Sequence, residues 1–98
     1  MFKISVHSDT DAHTIKLEGK IMGVWVDELN AVWRSLGPEL HATQLCLDVR
    51  GVSFVDARGK LLLREMHQAA NASFLADSPL TRRFAQDAMQ RVSETAKE

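Results

Sequence analysis

The stretch Leu45-Cys46-Leu47-Asp48-Val49-Arg50-Gly51-Val52-Ser53-Phe54-Val55-Asp56-Ala57-Arg58-Gly59-Lys60-Leu61-Leu62-Leu63 changes period partway along, and that change sets the architecture. Leu45, Leu47 and Val49 alternate with Cys46 and Asp48, the period of two that puts apolar residues on one side of a strand. Beyond Asp56 the apolar residues Leu62, Leu63, Met66 and Ala70 fall at helical spacing and predict one buried helix face. Asp56 stands at the junction. Its carboxylate can accept a hydrogen bond from an unpaired first-turn N–H, so it reads as the cap of a helix that starts near residue 57 and runs to about residue 71.

Working outward, the same two periods alternate along the chain. Phe2, Ile4 and Val6 alternate with Lys3, Ser5 and His7, and Ile15 and Leu17 alternate with Thr14, Lys16 and Glu18. The polar cluster Ser8-Asp9-Thr10-Asp11 joins these two strands as an antiparallel hairpin. After Gly19 and Gly23, Val26, Leu29, Trp33 and Leu36 recur on one helical stripe over 24–36, and Gly37-Pro38 reads as its stop. Downstream, Ser73-Phe74-Leu75-Ala76 is long enough for a short strand. Ser78-Pro79 then starts a helix over 79–92, with serine as N-cap and proline at the first helical position. Leu80, Phe84 and Ala88 recur every four residues along it, with Asp87 and Arg91 as an i,i+4 ion pair. The order strand, strand, helix, strand, helix, strand, helix predicts an α/β domain: a four-stranded mixed sheet with helices packed on one face.

Composition narrows the function classes. At 98 residues the chain holds a single domain, 1–98, and with 45% hydrophobic and 26% charged residues it can build one core. The formal net charge is −1 and no basic stripe stands out, which argues against nucleic-acid binding. No apolar run approaches the roughly 20 residues that span a bilayer, so no direct membrane insertion is expected. Met1 to Ser5 reads as a strand without a signal-peptide pattern, and a cytoplasmic protein is the expectation. The single cysteine, Cys46, excludes an internal disulfide and reads as a small buried hydrophobe. His7, His13, His41 and His67 lack ligand spacing, so neither a metal nor a cofactor is expected. No glycine elbow supports a serine, histidine and aspartate arrangement, and an enzyme is not expected. Trp33 reads as core, while Trp25 sits beside the apolar stripe as a boundary residue or an interface anchor.

The segment from Leu45 to Leu63 resembles the STAS family (sulphate transporter and anti-sigma factor antagonist). In that family an apolar strand ends in aspartate, a hydrophobic pair surrounds a turn, and an Asp-Ser-Ser-Gly or Asp-Ser-Thr-Gly loop opens a leucine-rich helix. Phe54-Val55-Asp56, Gly59 and the leucines match that pattern, and the element order matches over nearly the whole chain. The departure falls on Ala57 and Arg58, where the family has its two hydroxyl residues. The first is the serine phosphorylated in anti-sigma factor antagonists. Ala57 has no hydroxyl to phosphorylate, and Arg58 has the wrong charge to imitate a phosphate.

The resemblance implies a non-enzymatic protein-interaction domain that regulates a partner by direct binding, the partner being an anti-sigma factor kinase. Its docking face would be Asp56, Ala57, Arg58, Gly59, Lys60 and Leu61. Two other readings of the same residues stay open. Asp56 can simply cap the helix while Gly59 allows close packing. Alternatively, the helix start with Arg58 and Lys60 can hold a small anion. The family also includes a small cytoplasmic accessory or sensory subunit of a membrane transport complex, the alternative function.

Overall fold

In the computed structural model, which describes residues 2–9, 12–36 and 44–89, the alternating segments pair as expected. β1 (Phe2–Ser8) and β2 (Ala12–Ile21) form the antiparallel hairpin, with Phe2 opposite Gly19 and Ser8 opposite His13. The Asp9 N–H donates to the Ala12 carbonyl at 2.7 Å and closes the turn. α1 (Val24–Ser35) then crosses to β3 (Gln44–Val55), which lies parallel to β2. α2 (Ala57–Ala70) crosses to β4 (Ser73–Leu75), parallel to β3, and α3 (Pro79–Met89) follows. The sheet order is β1-β2-β3-β4, so every strand lies beside its predecessor in the chain.

One face of the sheet is apolar and covered. Ile15, Leu17 and Ile21 of β2 and Leu45, Leu47, Val49, Val52 and Val55 of β3 are buried there. They share one core with Val26, Leu29 and Trp33 of α1, Leu62, Leu63 and Met66 of α2, and Phe84 and Ala88 of α3. Leu36, just past α1, packs against the same core. Lys16, Lys20 and Arg50 on the opposite face remain exposed, the division expected of a sheet with helices on one side.

Three details depart from the sequence reading. β3 does not end near Val49 but continues to Val55, because two register shifts against β2 each insert an extra residue. The inward residues Val49, Val52 and Val55 are therefore spaced by three, which hides the strand from a period-two reading. β2 likewise runs past Gly19 to Ile21. In α3, Leu80 is 49% exposed, whereas Thr81, Phe84, Ala85 and Ala88 are buried. That set follows the i, i+3, i+4, i+7 stripe, and a strict spacing of four drifts off it. Ser78 is the N-cap as expected: its Oγ accepts the Thr81 N–H at 3.1 Å, while Thr81 Oγ1 accepts the N–H groups of Asp77 and Ser78, both at 3.1 Å. Gly37-Pro38, the end of the 79–92 helix and Arg91 lie outside the described residues. Among those described, Asp87 pairs with Arg83 at 3.7 Å.

Candidate functional site

The parallel pairing of β2 with β3 brings the ends of these strands, and the helices that leave them, to one edge of the domain. Asp56 joins the two connections. Its backbone is extended, its Oδ1 accepts the Gly59 N–H at 2.7 Å, and its own N–H donates to the Ile21 carbonyl at 3.0 Å. Its Oδ2 accepts a second backbone donor, the Gly23 N–H at the start of α1, at 3.0 Å. The Gly59 amide first, then the Gly23 amide, hold the Asp56 carboxyl below the usual carboxylate range, and the charge of Arg58 adds to them.

Gly59 is buried because α2 meets the sheet there. A Cβ at this position would lie 2.8 Å from Val55 Cγ1 and 3.0 Å from both the Ile21 carbonyl oxygen and its Cγ2. The helix start is thus pressed onto the strand ends, and the residues on its outer side are turned outward. Ala57, at the first helical position, is exposed, as are Arg58, Lys60 and Leu61, the last at 61%. Arg58 is not a free charge. Its Nη2 donates to Asp27 Oδ1 of α1 at 2.6 Å, and a second exposed pair, Arg34 with Glu65 at 3.3 Å, crosses between the same helices. Exposed pairs of this kind each contribute about 0 to 1 kcal/mol. Between them runs an open groove of about 240 Å³ lined by Val26, Asp27, Asn30, Arg58, Leu61 and Glu65.

Of the six residues expected to form the docking face, Ala57, Arg58, Lys60 and Leu61 are surface, Asp56 is a partly buried cap and Gly59 is a packing residue. The sequence reading missed what lies beside them. Met22, Val24 and Phe54 are 41%, 71% and 45% exposed and flank the same strand ends, which makes the edge more apolar than the loop alone. The signal for Val24 was its place before the apolar stripe. Phe54 could not be placed without the second bulge. The Gly23–Asp56 bond and the Arg58–Asp27 pair span 33 and 31 positions and leave no local pattern.

The other candidates occupy separate places. Trp33 is core, and Trp25 is a boundary residue, 39% exposed, with its ring tilted against Phe2 at 5.7 Å. Cys46 is half-buried on the open sheet face rather than enclosed, because only the odd-numbered residues of this part of β3 face the helices. Its neighbour Asp48 is buried on that face, where Oδ1 accepts from Arg50 Nε and Oδ2 from Nη2, each at 2.9 Å. The side-chain hydrogen bonds from Arg50 hold the Asp48 carboxyl low against the opposing effect of burial. His13 Nδ1 lies 2.7 Å from Ser8 Oγ and His67 Nδ1 lies 2.8 Å from the Ala72 carbonyl oxygen, while His41 is outside the described residues. Among the described residues no group of three or more His, Cys, Asp or Glu side chains could hold a metal ion. None of their helices is long and apolar enough to cross a membrane.

No family model matches the sequence, and no curated protein matches it. Solved structures do match. The anti-sigma factor antagonist SpoIIAA in its unphosphorylated form superimposes with a TM-score of 0.69 over 97% of this chain and 94% of its own, at 19% identity. An anti-sigma factor antagonist from Mycobacterium paratuberculosis gives 0.65 over 85% of this chain and 74% of its own, also at 19% identity. An uncharacterised Shewanella loihica protein with a SpoIIAA-like fold gives 0.55 over 81% and 69% at 9% identity. At such identities the likeness is one of fold, and it extends over nearly the whole of the SpoIIAA chain. The mixed sheet and the three helices of the described residues thus share the fold of these anti-sigma factor antagonist structures.

Proposed function

We propose that this chain is a non-enzymatic protein-binding domain of the anti-sigma factor antagonist kind, docking a kinase-type anti-sigma factor through the edge formed by Ala57, Arg58, Lys60 and Leu61. Asp56 and Gly59 hold that edge from beneath. The observation that carries the reading is the placement of Leu61, an aliphatic side chain 61% exposed one turn after Ala57 on a helix start fixed by its cap. Burying such a side chain in an interface is worth about 1.5 to 3 kcal/mol, whereas leaving it in water does nothing for the fold. Ala57 occupies the position of the family's phospho-acceptor, so binding at this edge is not switched off by phosphorylation there. The small-anion reading has less support. The guanidinium of Arg58 is engaged by Asp27, and the carboxylate of Asp56 already lies against the helix start.

The test is binding of the purified chain to purified kinase-type anti-sigma factors, measured by calorimetry for wild type and Leu61→Asp. Binding at micromolar concentration or tighter that Leu61→Asp weakens at least tenfold supports the proposal. Absence of binding to every such kinase from the same genome, or equal affinity of the variant, overturns it.

A further inference from the structure

The starts of α1 and α2 belong to different crossovers, yet one side chain caps both. Gly23, the N-cap of α1, has φ 58° and ψ −131°, a conformation L side chains rarely adopt, and it provides no side-chain cap. A Cβ there would meet nothing within 4 Å, so packing does not demand a glycine. The backbone conformation does, and in it the Gly23 N–H donates to Asp56 Oδ2. The first turn of α1 builds on this residue: the Val26 N–H donates to the Gly23 carbonyl at 3.0 Å and the Trp25 N–H to the Met22 carbonyl at 3.1 Å. On the other side, Asp56 Oδ1 caps Gly59.

We propose that Asp56 is a positioning residue that couples the starts of α1 and α2, so that the turn carrying Met22 and Val24 and the first turn of α2 carrying Ala57 and Leu61 are held in register as one surface. The coupling is a property of the isolated chain and stands whatever docks there. It depends on two acceptor oxygens fixed to one carbon. A carboxylate can accept from both amides at once, whereas a carboxamide offers one acceptor oxygen and a methyl group none. Asparagine is a good helix cap, so Asp56→Asn should keep the Gly59 bond and give up the Gly23 bond.

Native-state amide hydrogen exchange followed by NMR reads this directly, with the amides of Leu47 and Val49 as references for global opening. In Asp56→Ala, the Gly23 and Gly59 amides should both exchange about tenfold or more faster relative to the references. The Trp25 and Val26 amides should accelerate with them, and the Trp25 indole resonance should move. In Asp56→Asn, Gly59 should stay protected while Gly23, Trp25 and Val26 accelerate. If both helix starts accelerate in Asp56→Asn, the dependence of α1 on Asp56 is still shown. Should the alanine variant not fold, the asparagine variant decides. Wild-type rates at Gly23, Trp25 and Val26 in the folded variants would overturn the proposal. So would an equal loss of protection at both starts in Asp27→Asn, since the ion pair would then be the coupling element.

Discussion

Two glycines on β3 and α2 look alike in sequence and differ in what a side chain would meet. At Gly59 the obstacles are a valine methyl and the Ile21 carbonyl, and a backbone carbonyl at a packed strand end does not move aside. Gly59→Ala should therefore cost about 1 to 3 kcal/mol, outweighing the gain of about 1 kcal/mol in helix propensity. At Gly51 the nearest atom is Glu18 Cγ at 2.9 Å, part of a flexible side chain, so Gly51→Ala should cost less than Gly59→Ala in the same urea unfolding measurement. Asp56 contributes through charge. Its folded-state pKa is depressed, so its contribution is fully present above the unfolded value of about 3.9 and is lost as pH falls through the lower folded value. Asp56→Ala should cost about 1 to 2 kcal/mol at neutral pH, as lost caps do. It should also flatten the acid limb of the stability curve below about pH 4. Part of that limb should survive, because Asp48 beside Arg50 is depressed in the same sense, and Asp48→Asn should remove that part. Unfolding curves between about pH 2 and about pH 6 check both.

Among the elements, α3 depends on a hydroxyl that apolar patterning does not reveal. Thr81 is buried, and its Oγ1 accepts the Asp77 and Ser78 N–H groups. Thr81→Val keeps the volume but leaves those donors without an acceptor, so it should lose about 1 to 3 kcal/mol, and Thr81→Ser should lose less. A chemical unfolding series of the two variants is the check. This case also shows where sequence reading succeeds and where it stops. The hairpin, α1 and the capped start of α2 were legible because Phe2, Ile4, Ile15, Leu17, Val26, Leu29 and Trp33 obey one period within each element. The spacing of four that links Leu80, Phe84 and Ala88 drifts only slowly off the true stripe, and a polar Thr81 does not read as core. The second half of β3 was illegible because bulges break its period at Val49, Val52 and Val55. At the candidate site Asp56 was readable as a cap from its position alone. Its second bond to Gly23 and the commitment of Arg58 to Asp27 come from tertiary pairing.

For the whole molecule, the engagement of Arg58 changes what charge reversal would test. Arg58→Glu sets a carboxylate beside Asp27 and removes a positive charge from the edge, so it should slow association with an acidic face of the partner proposed above and weaken the salt dependence. Asp27→Asn should release Arg58 and shift the salt dependence the other way, with each change within about 1 kcal/mol in stability. Stopped-flow association at two salt concentrations separates the two. The bulges of β3 carry a different consequence. β4 pairs only with Cys46 to Asp48, so beyond Asp48 the outer side of β3 has no strand beside it among the described residues. A straight strand there would be a template on which a second chain could add its own backbone, the first step toward aggregates. The irregular register at Lys16/Glu18 and at Gly19/Lys20 falls in this same segment and spoils the template. Ser53, an exposed residue with a 3.4 Å bond to the Gly19 carbonyl, sits at the second irregularity. Its deletion would straighten the strand end, and light scattering on warming should then register clumping at a lower temperature than in the parent chain.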